Sequence, residues 1–232
     1  WLLMAVAFAA STAHLGMPLR AINSLARVGS APLSNEILTG GAFFALGGLG
    51  WLLSVTGKGS AGLLKALTGL TLLASVAFLI CMARFYMIDT VPTWNTSLTP
   101  AAFLVTALTA GLLLGRERLA AAGIQGPLGS VLLGIAALAL LAGVVMTLVQ
   151  QASLPHITSS IQSAADLVPD YAQRMASRFA LLAAALAIWL GAERRASLPA
   201  QRSLATVALV LVLLGEMLGR SVFYGLHMTV GL

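Results

Sequence analysis

Seven long apolar runs, separated by short polar connections, dominate this sequence. They are Trp1–Leu15, Glu36–Thr56, Leu63–Phe85, Thr99–Gly115, Leu128–Gln150, Arg174–Ala192 and Ser203–Leu232. A helix that crosses the hydrocarbon core of a bilayer needs about 20 predominantly apolar residues. The pattern therefore predicts an all-α bundle of seven transmembrane helices. The first run is short, and we expect it to be the end of a helix whose start precedes Trp1.

The composition supports a membrane environment. Of 232 residues, 59% are hydrophobic and only 9% are charged, whereas a soluble domain carries about 25% charged residues. The net charge of +6 comes from basic residues that stand singly or in pairs between apolar runs, which is unlike a nucleic-acid-binding patch. We interpret residues 1–232 as a single transmembrane domain that does not bind nucleic acid.

The positions of Lys and Arg predict the orientation of the bundle. Short connections on the cytoplasmic side of membrane proteins carry an excess of basic residues. The short second, fourth and sixth connections hold Lys58, Lys65, Arg116, Arg118, Arg194, Arg195 and Arg202. The longer first, third and fifth connections hold Arg20, Arg27, Arg84, Arg174 and Arg178. We therefore expect the even connections in the cytoplasm, and the odd connections and the C-terminus outside.

The last apolar run contains polar residues at helical spacing. Glu216, Arg220, Tyr224 and His227 follow one another at intervals of four, four and three residues, which predicts that they share one helical face. A charge inside a transmembrane segment is costly unless it is paired or hydrated. Two interpretations stay open, a structural ion pair between helices and the wall of a quinone site or polar path.

His14 and Glu36 border the first two apolar runs. A histidine exchanges protons near neutral pH, and a nearby carboxylate relays them. This pair suits a site that oxidises a quinol, which loses two protons with its two electrons. The alternatives are a histidine that simply ends a helix and a Glu36 favoured by the dipole at a helix N-terminus.

The histidine and cysteine counts limit the redox groups. Two haems that cross a membrane need four axial histidines, and the protein has three. A single haem between His14 and His227 stays open. Cys81 is the only cysteine, so any iron–sulfur cluster must belong to a partner.

Two segments on the outward side are candidates for docking to a partner, and two glycine pairs are candidates for helix–helix contacts. The segment Ile88–Trp94 reads as a rigid loop, and Ser160–Tyr171 as a short amphipathic helix followed by a turn. Both are either docking surfaces or ordinary boundary loops. Gly111 with Gly115, and Gly215 with Gly219, have the spacing of small residues at helix–helix contacts.

Several of these segments together resemble the membrane anchor subunits of bacterial dimethyl sulfoxide reductases. The resemblance spans nearly the whole chain in the same order. It is carried by the segments His14–Ala21, Asn23–Leu25, Arg27–Gly29, Leu33–Ile37, Ile88–Trp94, Leu167–Tyr171, Gly215–Arg220 and Phe223–Gly231.

This resemblance implies a function. The family has eight spans and no haem, and it holds a molybdopterin catalytic subunit and an iron–sulfur subunit on the periplasmic side of the inner membrane. It oxidises menaquinol and passes electrons to the partner's cluster, without performing the terminal reduction itself. We therefore expect eight spans in the full protein, of which the first is missing here. Related selenate-type and polysulfide-type reductases share this plan, so the terminal acceptor stays open.

The resemblance also assigns residues. Within matching motifs, the quinol-site histidine and glutamate of the family fall on His14 and Glu36. We extend the predicted quinol-binding set to further polar residues on the outward side, and we expect no metal site. These further residues are Arg20, Arg84, Glu216, Arg220, Tyr224 and His227.

Two other functions compete with quinol oxidation. One is a pure docking subunit without a redox site. The other is a small-solute transporter with Glu216 and Arg220 in its path. Transporters often contain paired halves with broken helices at the membrane midplane, and the sequence shows no such halves.

Overall fold

The computed structural model describes residues 1–13, 18–124, 126–195 and 198–229. This part of the chain is built from α-helices joined by short connections, two of which contain 3₁₀ helices. The all-α prediction is confirmed. The helices are α1 (Leu2–Ala13), α2 (Pro32–Val55), α3 (Ala61–Tyr86), α4 (Leu98–Ala121), α5 (Pro127–Ser153), α6 (Tyr171–Arg195) and α7 (Leu198–Gly225).

Six of the described helices, α2 to α7, are long and apolar enough to cross a membrane, each with at least 21 suitable residues. Helix α1 is apolar but shorter. Large apolar side chains cover the outside of these helices, among them Leu73, Leu138 and Met217, which are 70%, 68% and 68% exposed. A surface of this kind is stable in lipid and not in water. The chain is therefore a multi-pass membrane protein.

Two helix ends differ from the predicted apolar runs. Helix α2 begins at Pro32, four residues before Glu36, because proline at the first helical position has the required φ and loses no hydrogen bond there. Helix α7 ends at Gly225, whereas the last run was predicted to continue to Leu232. Leu226 and Met228 are almost completely buried. Their burial in the protein explains why an apolar sequence continues after the helix has ended.

The described chain forms two compact units, and the first is Trp1–Tyr86. Helices α2 and α3 pack as an antiparallel pair. A Cβ atom on Gly40 would lie 2.9 Å from the Phe78 ring and 3.2 Å from the Phe8 ring. Glycine at this position therefore lets α1, α2 and α3 meet closely, as expected where lipid supplies no hydrophobic drive for association.

The second unit, Met87–Leu232, contains α4 to α7. One group of buried side chains, including Leu133, Leu182 and Trp189, fills the space between the four helices. Another group lies where α5 ends, α6 begins and α7 ends, and it includes Tyr171 and Leu226. This second group joins the helix ends to the connections that follow them.

Of the two predicted glycine contacts, only one is formed among the described residues. A Cβ atom on Gly215 would lie 3.2 Å from the Arg178 carbonyl oxygen, and one on Gly219 would lie 2.7 Å from Arg178 Nε. These glycines therefore bring α7 close to α6. Gly111 and Gly115 have no described neighbour within 4 Å, so that pair forms no close contact within the part of the chain that the structure describes.

Candidate functional site

The predicted site residues are divided between the two units. Glu36 and Arg84 belong to Trp1–Tyr86, and Glu216, Arg220, Tyr224 and His227 belong to Met87–Leu232. His14 lies outside the described residues, and so does the side chain of Arg20. No three His, Cys, Asp or Glu side chains come together as metal ligands within the described ranges.

Glu36 is the fifth residue of α2, and the first turn of this helix has no acidic residue. Stabilisation of a carboxylate by the helix dipole falls off after the first turn. The dipole therefore gives little reason for a glutamate at this position. The alternative that Glu36 is present only because the helix dipole stabilises its charge is therefore disfavoured.

The corner around Glu36 is held by two side-chain hydrogen bonds. The Ser34 hydroxyl donates to the carbonyl oxygen of Ser24, in the 3₁₀ helix Pro18–Arg27. The Gly29 N–H donates to Asn35 Oδ1 over 2.6 Å, and Gly29 adopts a positive φ of 87° that favours glycine. These bonds fasten the polypeptide that precedes α2 to the first turn of the helix.

One carboxylate oxygen of Glu36 is available at this corner. Glu36 Oε2 is buried and has no hydrogen-bond partner among the described residues. A buried acceptor without a donor costs free energy comparable to a lost hydrogen bond. The arrangement fits a ligand that brings its own hydroxyl donor.

Arg84 lies in the last turn of α3. Because α2 and α3 are antiparallel, this turn and the Glu36 corner are at the same end of the pair. The side chain of Arg84 is exposed. The structure therefore places a cation at the same end as Glu36.

Glu216 forms an ion pair inside the second unit. Arg178 Nη2 on α6 lies 3.0 Å from Glu216 Oε2 on α7, and both side chains are largely buried. The Thr106 hydroxyl on α4 donates to the same carboxylate over 3.0 Å. The structure supports the structural ion-pair interpretation of Glu216. Arg178, which was counted with the fifth connection, lies within α6.

Arg220 has an aromatic environment. Its guanidinium carbon lies 4.1 Å from the centre of the Phe103 ring and 5.9 Å from that of Phe223. A guanidinium over an aromatic face is attracted by the negative charge of that face. This contact links α7 to α4 one turn away from the ion pair.

The four polar residues of the last run do not share one helical face. Tyr224 is in the last turn of α7 and is 51% exposed. His227 follows the end of the helix at Gly225, so its predicted place on that face is wrong. Instead, its ring lies 4.7 Å from the ring of Trp94.

Trp94 joins the third connection to the end of α7. Its Nε1–H donates to the Phe223 carbonyl oxygen over 2.8 Å, and the Trp94 and Phe223 rings are stacked 5.0 Å apart at 5°. The Thr93 hydroxyl donates to the Leu226 carbonyl oxygen over 2.5 Å. Sequence reasoning missed this contact, although a tryptophan in a Pro- and Thr-rich loop was a signal for it.

The fifth connection is ordered by local hydrogen bonds. The predicted amphipathic helix is reduced to the 3₁₀ helix Ala164–Leu167, which Ser163 and Asp166 cap reciprocally. Ile161, at the tip of the preceding turn, is 76% exposed. The Arg174 guanidinium, 2.7 Å from Asp170, holds the pKa of that carboxyl below its usual value.

This architecture defines the protein as a polytopic membrane protein with a charged pair inside one helical unit and ordered loops at one end of that unit. Residues 1–226 match the family described as DMSO reductase anchor subunit (DmsC). The protein belongs to this family. The resemblance that the loop motifs indicated is confirmed.

Similar proteins agree on the family. The protein is 47% identical to the C chain of anaerobic dimethyl sulfoxide reductase from Escherichia coli (strain K12), over 100% of its own length and 81% of that relative. It is 46% identical, over the same shares, to the YnfH chain of anaerobic dimethyl sulfoxide reductase from the same organism. It is 36% identical to the corresponding C chain from Haemophilus influenzae, over 99% of its own length and 80% of that relative. No solved structure matches it significantly.

Proposed function

We propose that this protein is the membrane anchor of a dimethyl sulfoxide reductase complex and that it oxidises menaquinol at the Glu36 corner. The observation that carries the proposal is the buried Glu36 Oε2, which no described residue uses as an acceptor. A quinol hydroxyl is a donor of suitable size and chemistry for this oxygen. His14, in the matching motif, is the second proton acceptor.

The chemistry balances with two acceptors. Oxidation of a quinol to a quinone breaks two O–H bonds and releases two protons and two electrons. Glu36 and His14 each take one proton and release it to the outer aqueous side, since both ionise within reach of physiological pH in a suitable environment. The two electrons leave for an iron–sulfur cluster in a partner subunit.

The partner binds the outward end of the second unit in this proposal. Three segments meet there: the third connection, the fifth connection and the residues after α7. The bonds of Thr93 and Trp94 to the end of α7 hold these segments in place. A preformed surface of this kind binds a partner without a large loss of conformational entropy. The partners are an iron–sulfur subunit and, beyond it, a molybdopterin catalytic subunit, on the periplasmic side of the inner membrane.

The decisive experiment separates quinol oxidation from terminal reduction. We compare Glu36→Gln and His14→Ala with the wild type in the purified complex, and use Glu117→Gln as the control, because Glu117 pairs with Arg118 near the C-terminal end of α4 and lies outside the proposed docking surface. Reduction of dimethyl sulfoxide is measured twice, with a menaquinol analogue and with a reduced viologen dye that feeds electrons directly to the partner subunits.

Each outcome has a clear meaning. We expect Glu36→Gln and His14→Ala to lose most of the quinol-dependent rate and to keep the viologen-dependent rate, while Glu117→Gln keeps both. An unchanged quinol-dependent rate in assembled variants would refute the site. If the wild-type complex binds no quinol analogue at all, the protein is a docking subunit without a redox site.

A further inference from the structure

The four helices of the second unit surround a small cavity. Its volume is about 60 Å³, and its polar lining comes from Thr99, Thr147, Gln150 and Arg178, among apolar side chains such as Met146 and Met175. Helices α4, α5, α6 and α7 all contribute to it. The cavity therefore lies within one unit and is distinct from the Glu36 corner.

The volume of the cavity limits which molecule it can bind. A cavity needs about 10–15 Å³ of such volume to hold one water molecule, whereas a cavity that binds benzene has about 150 Å³. The cavity is thus too small for the ring of a quinol and large enough for water molecules. A dry cavity of this size would be lined by apolar groups alone, which is not the case here.

Arg178 provides a hydrogen-bond donor that water can satisfy. Its Nη2 donates to Thr106 and Glu216, but its Nε is buried without an acceptor among the described residues. The Gln150 carboxamide lines the same cavity, and its Oε1 accepts a hydrogen bond from the Tyr171 hydroxyl over 3.0 Å. A water molecule needs two to four polar partners to be held in a protein interior, and these groups supply them.

We propose that this cavity binds one or two water molecules that hydrate Arg178 and keep its ion pair with Glu216 charged inside the bundle. Ionisable residues in transmembrane segments are stable when they face a partner or a water-filled cavity. Here both conditions are met at one residue. The water accepts a hydrogen bond from Arg178 Nε, for which no described side chain provides an acceptor. The ion pair, together with the Thr106 hydroxyl, connects α4, α6 and α7.

Radiolytic footprinting of the intact complex tests the proposal. X-ray pulses convert trapped water into hydroxyl radicals that oxidise the nearest side chains. Met146 and Met175 line the cavity, whereas Met217 is 68% exposed on the surface of α7. We expect severalfold faster oxidation of Met146 and Met175 than of Met217. Equal or slower oxidation of the two cavity methionines shows a dry cavity and overturns the proposal.

A cavity-filling variant locates the water. Ala102 lines the cavity, so Ala102→Leu should displace the water and lower the oxidation of Met146 and Met175 to the rate of Met217. Ala107→Leu, on an exposed position of the same helix, is the matched control and should leave the rates unchanged. Persistent oxidation in Ala102→Leu places the water elsewhere and overturns the assignment. If Ala102→Leu does not assemble, the wild-type comparison still decides the proposal.

Discussion

Arg178 on α6 and Glu216 on α7 form a salt bridge within the membrane-spanning helices, with 3.0 Å between Nη2 and Oε2 and side chains only 12% and 13% exposed. Its members are 38 residues apart in sequence. The carboxylate also accepts a hydrogen bond from Thr106 on α4. Three helices of the second unit are therefore joined by one polar cluster, and substitutions in this cluster should change the stability of the protein.

Removing one member of the pair should destabilise the protein more than removing both. Arg178→Met leaves Glu216 as an uncompensated buried charge and should cost about 3 kcal/mol of unfolding free energy. In the double variant Arg178→Met with Glu216→Met, no charge remains, and most of this cost should be recovered. Unfolding of the detergent-solubilised complex measures both.

The exposed ion pair of Asp170 and Arg174 is the control for that experiment. Both of its side chains are nearly half exposed, and exposed pairs contribute little. Asp170→Asn should therefore leave unfolding unchanged. If the double variant Arg178→Met with Glu216→Met is less stable than Arg178→Met alone, the explanation by an uncompensated charge is contradicted.

A methyl group at Gly219 should disturb the pair directly. The new Cβ would lie 2.7 Å from Arg178 Nε, so the guanidinium must move, and overpacking of this kind costs about 1–3 kcal/mol. Gly111→Ala is the matched control, because no described atom lies within 4 Å of its new Cβ, and it should change the unfolding free energy by less than about 1 kcal/mol. Equal effects of the two substitutions would argue against close packing at Gly219.

The indole N–H of Trp94 should matter separately from its ring. Trp94→Phe keeps an aromatic ring against Phe223 but removes the hydrogen bond to the Phe223 carbonyl oxygen, at a cost of about 1 kcal/mol. Trp94→Ala also removes the buried ring and should cost about 3–5 kcal/mol. Thermal unfolding of the complex measures both.

Trp51→Ala is the matched control for the tryptophan series, since Trp51 is 54% exposed on the surface of α2. It should have a much smaller effect than Trp94→Ala. If Trp94→Phe is as damaging as Trp94→Ala, the indole hydrogen bond rather than the stacked ring holds the third connection against α7.

The orientation predicted from the basic residues can be tested with cysteine labelling. Cys81 is the only native cysteine, so a Cys81→Ser background allows single cysteines at Ser60 and Ile161, which are both exposed. In cells that produce the protein without its partner subunits, a membrane-impermeant maleimide should label Ile161→Cys when it has access to the periplasmic side, and Ser60→Cys only after the cells are lysed. The reverse pattern would invert the topology.

The sequence predicted the helices better than it predicted the contacts between them. The apolar runs identify α2 to α7 because crossing a bilayer requires a length and a composition that short-range sequence displays directly. The positions of the helix ends were less certain, as the early start of α2 at Pro32 and the end of α7 at Gly225 show. These ends depend on local stereochemistry and on burial of the residues beyond them.

The sequence could not predict which side chain each polar residue contacts. Glu216 was visible as a costly charge in an apolar run, but four residues of spacing made Arg220 the obvious neighbour. The fold instead brings Arg178 to it from another helix. The same holds for Trp94, whose partner Phe223 is 129 residues away in the sequence.

Local patterns in the sequence were sufficient to predict a membrane-spanning helical protein and, through its loop motifs, the family to which it belongs. Both properties rest on residues that are close together in the sequence. The folded structure was needed to show that Arg178 neutralises Glu216, that Trp94 holds the end of α7, and that one oxygen of Glu36 is buried without a described donor. These relationships depend on which helices pack together, because only packing brings distant side chains within hydrogen-bonding distance.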